Sequence, residues 1–132
     1  MQRITFFLCI LLFISCGRKS VPAHDTDLTC VNSFIRALYE GEFEQAEKIM
    51  TSDEASHKCL QQRRFNYNQV LSKEQKIQYR HGSVTLKKEP VNDSVVIFLC
   101  TDPVFGDTKP FKTVRRNNEW LVDFSYTCSG NL

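Results

Sequence analysis

The sequence predicts an α+β domain in which N-terminal helices pack on a four-stranded antiparallel sheet. Three observations carry that expectation. Apolar residues recur at helical spacing across FIRALYEGEFEQAEKIM, Phe34 to Met50, around Gly41. From Lys76 the apolar period shortens to two. The chain then closes on VRRNNEWLVDF, Val114 to Phe124, two strand-like runs around an Asn-Asn pair. A helical hairpin this small cannot bury both apolar faces against itself, so it needs the sheet to lie on.

The 132 residues suffice for one domain. A 42% hydrophobic and 24% charged composition argues against disorder and against a polytopic membrane protein. The formal net charge of +2 is too small for a nucleic-acid surface, and Arg63-Arg64, Lys87-Lys88 and Arg115-Arg116 fall on separate elements. No nucleic acid is expected as a partner.

Taken in order, residues 1–15 form a targeting segment: Arg3 gives a positive start, and Ile4 to Ile14 is an apolar run too short to span a bilayer. Residues 16–26 are polar, contain Pro22 and form a tether, leaving 27–132 as the folded domain. Asp25, Thr26 and Asp27 offer caps for a first helix with Leu28, Val31, Phe34, Ile35 and Leu38 on its apolar face. Gly41 ends it, and a second helix carries Phe43, Ala46, Ile49 and Met50. Thr51 with Glu54 suggests a capping box for a third helix from Asp53 to about Leu71, its apolar face interrupted by Arg63 and Arg64.

The strands follow. Ile77 and Tyr79, then Val84 and Leu86 beyond a Gly82 bend, alternate with polar residues, and Pro90 to Asp93 forms a turn. Val95 to Cys100 is apolar on both sides, as for a central strand covered on both faces. A loop from Asp102 to Pro110 leads to a strand over Phe111 to Arg115, a tight Asn117-Asn118 turn, and a last strand from Trp120 to Thr127. On that strand Trp120, Val122, Phe124 and Tyr126 share one face, and Asp123 points to the other.

Of six cysteines, Cys9 lies in the targeting segment and Cys16 follows it. The remaining Cys30, Cys59, Cys100 and Cys128 are disulfide candidates with three connectivities open. Cys30–Cys59 and Cys100–Cys128 are the expected pairs. The second helix would return the chain to the start of the first. The strands ending at Cys100 and Cys128 would finish at one sheet edge, ~9–10 Å apart, so that pair requires strand ends that curl together.

Ser15-Cys16, after the short apolar core, resembles the processing site of bacterial lipoproteins of the Bacteroidetes type. That resemblance implies that Cys16 is acylated and becomes the first mature residue. The basic start of the tether then points to the periplasmic face of the outer membrane. The helical residues Phe34, Ala37-Leu38, Gly41, Phe43, Ala46 and Met50, with Val114 to Phe124, resemble small lipoproteins of unknown function. Their domain is cystatin-like, or nuclear-transport-factor-2-like. The resemblance implies a curved sheet wrapped as a cone around a pocket, used by relatives for isomerase or dehydratase chemistry, ligand binding or packing.

Few residues offer chemistry. Asp123, His81 and His57 are expected at exposed positions, and Tyr67, Tyr79 and Tyr126 are expected to complete the core. There is no Gly-x-Ser-x-Gly, no phosphate loop, and His57-Lys58-Cys59 lacks an accompanying Cys-x-x-Cys. No catalytic residue, metal site or cofactor is therefore expected. The expected role is a non-enzymatic accessory module, held to the lipid bilayer through acylated Cys16. It would bind a small apolar ligand or an envelope protein; the alternatives are a structural lipoprotein docked to larger partners and a small isomerase- or hydrolase-like enzyme.

Overall fold

In the computed structural model, which describes residues 25–130, α1 (Asp27–Glu40) opens where the Thr26 hydroxyl accepts the amide proton of Thr29. Asp27 suits that positive helix end and pairs with Lys88 at 2.8 Å. Gly41 ends the helix at φ 73°, and a Cβ there would meet the Tyr67 ring at 2.7 Å, so both backbone and space call for glycine. α2 (Phe43–Ile49) turns back beside it. Leu28, expected on the buried face, is 53% exposed; the packed stripe begins at Cys30 and Val31. The targeting segment, most of the tether, Cys9 and Cys16 lie outside the described residues.

α3 (Glu54–Phe65) runs without a break into a π-helical turn, Asn66–Val70, and stops at Leu71. Its cap is Asp53, not the expected Thr51–Glu54 box. The Asp53 carboxylate accepts from the Ser56 amide at 2.9 Å and from the Thr51 hydroxyl, so Thr51 supports the cap rather than being it.

The largest departure follows. Lys73–His81 is a helix, α4, not a strand. Ser72 and Gln75 form a reciprocal capping box, at 3.1 and 2.9 Å. Tyr79 is fully buried and Ile77 is 44% exposed, as two residues on opposite sides of a helix should be. Gly82 is the residue after α4 and not a strand bend. Arg36 of α1 finishes the helix, donating to the carbonyls of Gly82 at 2.7 Å and Arg80 at 2.9 Å.

The sheet is a meander in the order of β1 (Thr85–Asn92), β2 (Val95–Thr101), β3 (Thr108–Arg116) and β4 (Glu119–Asp123), all antiparallel. β1 runs through the expected turn at Pro90. Proline is tolerated because β1 is an edge strand, and the ladder slips between Pro90 and Asn92. The turn itself is at Asp93-Ser94, where Asn92 Oδ1 accepts from the Ser94 amide. β2 is central, between β1 and β3, but only one face is covered: Val96, Phe98 and Cys100 are buried, while Val95, Ile97 and Leu99 are half-buried. Asn117 and Asn118, at φ 52° and 61°, make the expected tight hairpin of type I′ sign.

With helices preceding a four-stranded antiparallel sheet, the chain is an α+β protein. Phe34 of α1 sits edge-on to Phe124 (4.9 Å between centroids) and Phe111 (6.3 Å), while Phe43 packs on Tyr67 at 5.5 Å. After α2, Met50 bridges Val122 in parallel, and the Thr51 amide donates to the Val122 carbonyl, covering the β4 edge.

The last strand is shorter than expected. Phe124 adopts helical angles, and a one-turn helix, α5 (Ser125–Cys128), replaces the run to Thr127. That turn takes Tyr126 off the strand face and carries Cys128 onto α3, where it bonds to Cys59 across 6.0 Å between Cα atoms. The expected Cys30–Cys59 and Cys100–Cys128 pairs are therefore not formed. Cys30 lies under β4, its thiol donating to the Trp120 carbonyl at 3.3 Å, and Cys100 lies beside Tyr39.

Candidate functional site

A cleft of about 270 Å³ is left between the end of α1, the second half of α3, α5, and the sheet end at which β2 leaves and β3 enters. Leu38, Phe111, Phe124 and the Cys59–Cys128 bridge make its apolar wall. Arg63 from α3 and Lys109 from β3 bring positive charge, and Gln62 and Asn66 add amides at the exposed side of the helix.

Asp102 is an acid lining the cleft, and it is 6% exposed. Both of its carboxylate oxygens are engaged. Oδ2 accepts from the Tyr79 hydroxyl at 2.6 Å, and Oδ1 accepts from the amides of Val104 and Phe105 at 2.8 and 2.9 Å. The Asp102 amide in turn donates to the Asp107 carbonyl, and Gly106, at φ 76°, donates to the Asp102 carbonyl. Asp102 thus folds the loop over residues 102–107 and anchors it to α4.

The hydroxyl and thiol groups nearby are held protonated. Burial first, then donation to Asp102, pushes Tyr79 up to about 12, against the opposing pull of Arg63. Tyr39 is raised by burial and by its contact with Cys100 at 3.5 Å. Burial also raises Cys100, with Tyr39 acting in the opposite sense. Arg63 stacks on the Tyr79 ring, Cζ 5.0 Å from its centroid, and its buried Nε has no hydrogen-bond partner.

No family model, curated protein or solved structure matches this chain.

The residues singled out from sequence scatter. Asp123 pairs with Lys112 at 3.7 Å and accepts from Ser125; His57 Nδ1 lies 3.4 Å from Glu47; His81 is exposed at the end of α4. Tyr67 packs on Phe43, and Lys112 sits 5.6 Å over the Tyr126 ring. Of the disulfide candidates, Cys59, Cys100 and Cys128 meet at the cleft and Cys30 does not. Sequence reasoning missed Arg63, Lys109, Asp102 and the role of Tyr79. One signal was present: Arg63 interrupts an apolar helical face, where a cation has to answer to something. Among the described residues no cluster of three or more His, Cys, Asp or Glu could hold a metal, and no helix is long and apolar enough to cross a membrane.

Proposed function

We propose that this chain is a non-enzymatic binding module that receives a small ligand in the cleft, displayed at the cell envelope by acylated Cys16. The cleft is the observation that supports the reading: it combines an apolar wall with a few fixed polar groups, the usual make-up of a small-molecule site. Its volume lies just below the ~300–1,000 Å³ typical of such sites, which suits a small ligand. The raised Cys100, Tyr39 and Tyr79 favour binding over catalysis, because a protonated thiol or phenol is a weak nucleophile and a weak base.

A fragment screen on the full chain followed by amide chemical shifts tests the cleft. Binding should move resonances of Leu38, Gln62, Lys109 and Thr127 together. Asn66→Trp, at the exposed rim, should abolish those shifts without lowering the melting temperature. Fragments that bind only elsewhere would refute the site. Membrane display rests on Ser15-Cys16 in the sequence. Cys16→Ala should lose fatty-acid label and membrane fractionation, and a variant that still labels would remove that part of the proposal.

A further inference from the structure

We infer that the ligand is a small carboxylate with an apolar body, its charge held by Arg63 and Lys109. This rests on the cleft being the binding site. Among the described residues Arg63 makes no ion pair, its guanidinium lies against the Tyr79 ring, and its buried Nε is an orphaned donor. Buried donors are nearly always satisfied, so a wall arginine with one donor orphaned and no carboxylate paired to it among the described residues suits an acceptor brought from outside. Guanidinium presents planar, paired donors, and a carboxylate is the group that fits them two at a time.

Lys109 adds the second cation. Its ion-pair contact is Asp107 at 3.7 Å, longer than a hydrogen bond, and its side chain is 41% exposed and able to turn to a ligand. Asp102 does not silence either cation by direct pairing, since both of its oxygens are taken by Tyr79 and the loop amides. The lining thus carries two cations against one acid, both of whose oxygens already accept hydrogen bonds from the protein. Leu38, Phe111 and Phe124 then select an apolar body over a bare anion, and the volume keeps that body small.

Calorimetry and amide shifts on the full, oxidised chain would compare phenylacetate and hexanoate with phenylacetamide, a neutral twin, and with inorganic phosphate. The acids should bind in the cleft at least tenfold more tightly than the amide. Arg63→Gln should weaken them roughly ten- to a hundredfold, the loss expected for a charge-assisted hydrogen bond. Lys109→Gln, half-exposed on a strand, should weaken them by a smaller factor, and both variants should weaken the acids more than the amide. Equal binding of acid and amide, insensitive to either substitution, would overturn the carboxylate inference and leave the cleft reading intact. Phosphate binding as tightly as the acids would overturn the apolar body. Silence of the cleft resonances with all four probes, while Asn66→Trp also alters nothing in the fragment screen, would overturn both readings.

Discussion

Asp53 ends the extended link after α2 because its carboxylate takes the Ser56 amide and the Thr51 hydroxyl, and those bonds hold its pKa below the usual carboxylate value. A lowered folded-state pKa means stability that is present above the unfolded value of about 4 and lost as pH falls through the folded one. Asp53→Ala should cost about 0.5–2 kcal/mol at neutral pH, the range for a lost cap. Asp53→Asn should lose less, and its deficit against the parent should shrink below about pH 4 in acid denaturation. A deficit that grows on acidification would contradict the cap. The two buried thiols make a second prediction at this scale. Burial, with Glu119 and Asp27 nearby, pushes Cys30 up to about 12, and burial raises Cys100 too. Since the thiolate is the reacting form, both should resist alkylation at neutral pH until the chain unfolds. Peptide mapping should find them unlabelled in the folded protein, with Cys59 joined to Cys128.

Among the elements, the helical hairpin and the Asn-Asn turn were legible because their signals are local. Gly41 separates two helical runs, and Asn117-Asn118 accept the left-handed angles a tight hairpin needs. α4 was misread although its cap was legible. Ser72 followed by Gln75 announces a helix, but four residues, Ile77 to Arg80, also alternate, and so short a window fits both periods. The last strand failed for a similar reason: Phe124 and Tyr126 continue an alternation that the backbone abandons at Phe124. Two substitutions probe these joints. Gly41→Ala should destabilise by about 1–2 kcal/mol from the left-handed backbone alone, and more once Tyr67 is displaced from its contact with Phe43. Phe124→Ala removes a ring packed against Phe34 and Phe111 and should cost about 3–5 kcal/mol in a denaturant titration. A Phe124 variant as stable as the parent would mean that this ring does not hold α1 to the sheet.

For the whole molecule, the α+β order of helices and sheet could be read from pattern, whereas the cleft could not. Its walls come from α1, α3, β2, β3 and α5, so Arg63, Asp102 and Lys109 meet only after the sheet is registered and α5 has turned back. The disulfide was out of reach for the same reason: its partner choice depends on the turn at Phe124. The Cys59–Cys128 bridge spans 69 residues, and in the chain-entropy picture a loop of that size contributes roughly 4 kcal/mol. Cys128→Ser should lower stability by up to that amount and, by freeing α5, weaken the binding proposed for the cleft.

The same bridge also makes the chain a closed ring with a tail, which matters under tension. All four strands, α4 and most of the cleft lie within the ring, while α1 and α2 lie on the tail. A pull along the chain should peel α1 from Phe111 and Phe124, stripping Leu38 and Tyr39 from the cleft. It cannot draw out the segment between the two sulfurs. In force spectroscopy the oxidised protein should extend by about 23–25 nm less than the reduced one, from 69 residues at ~3.3–3.6 Å each. A load arriving at the N-terminal end would then open the cleft from one side and leave the sheet covalently enclosed, ready to close on α1 when the load is released.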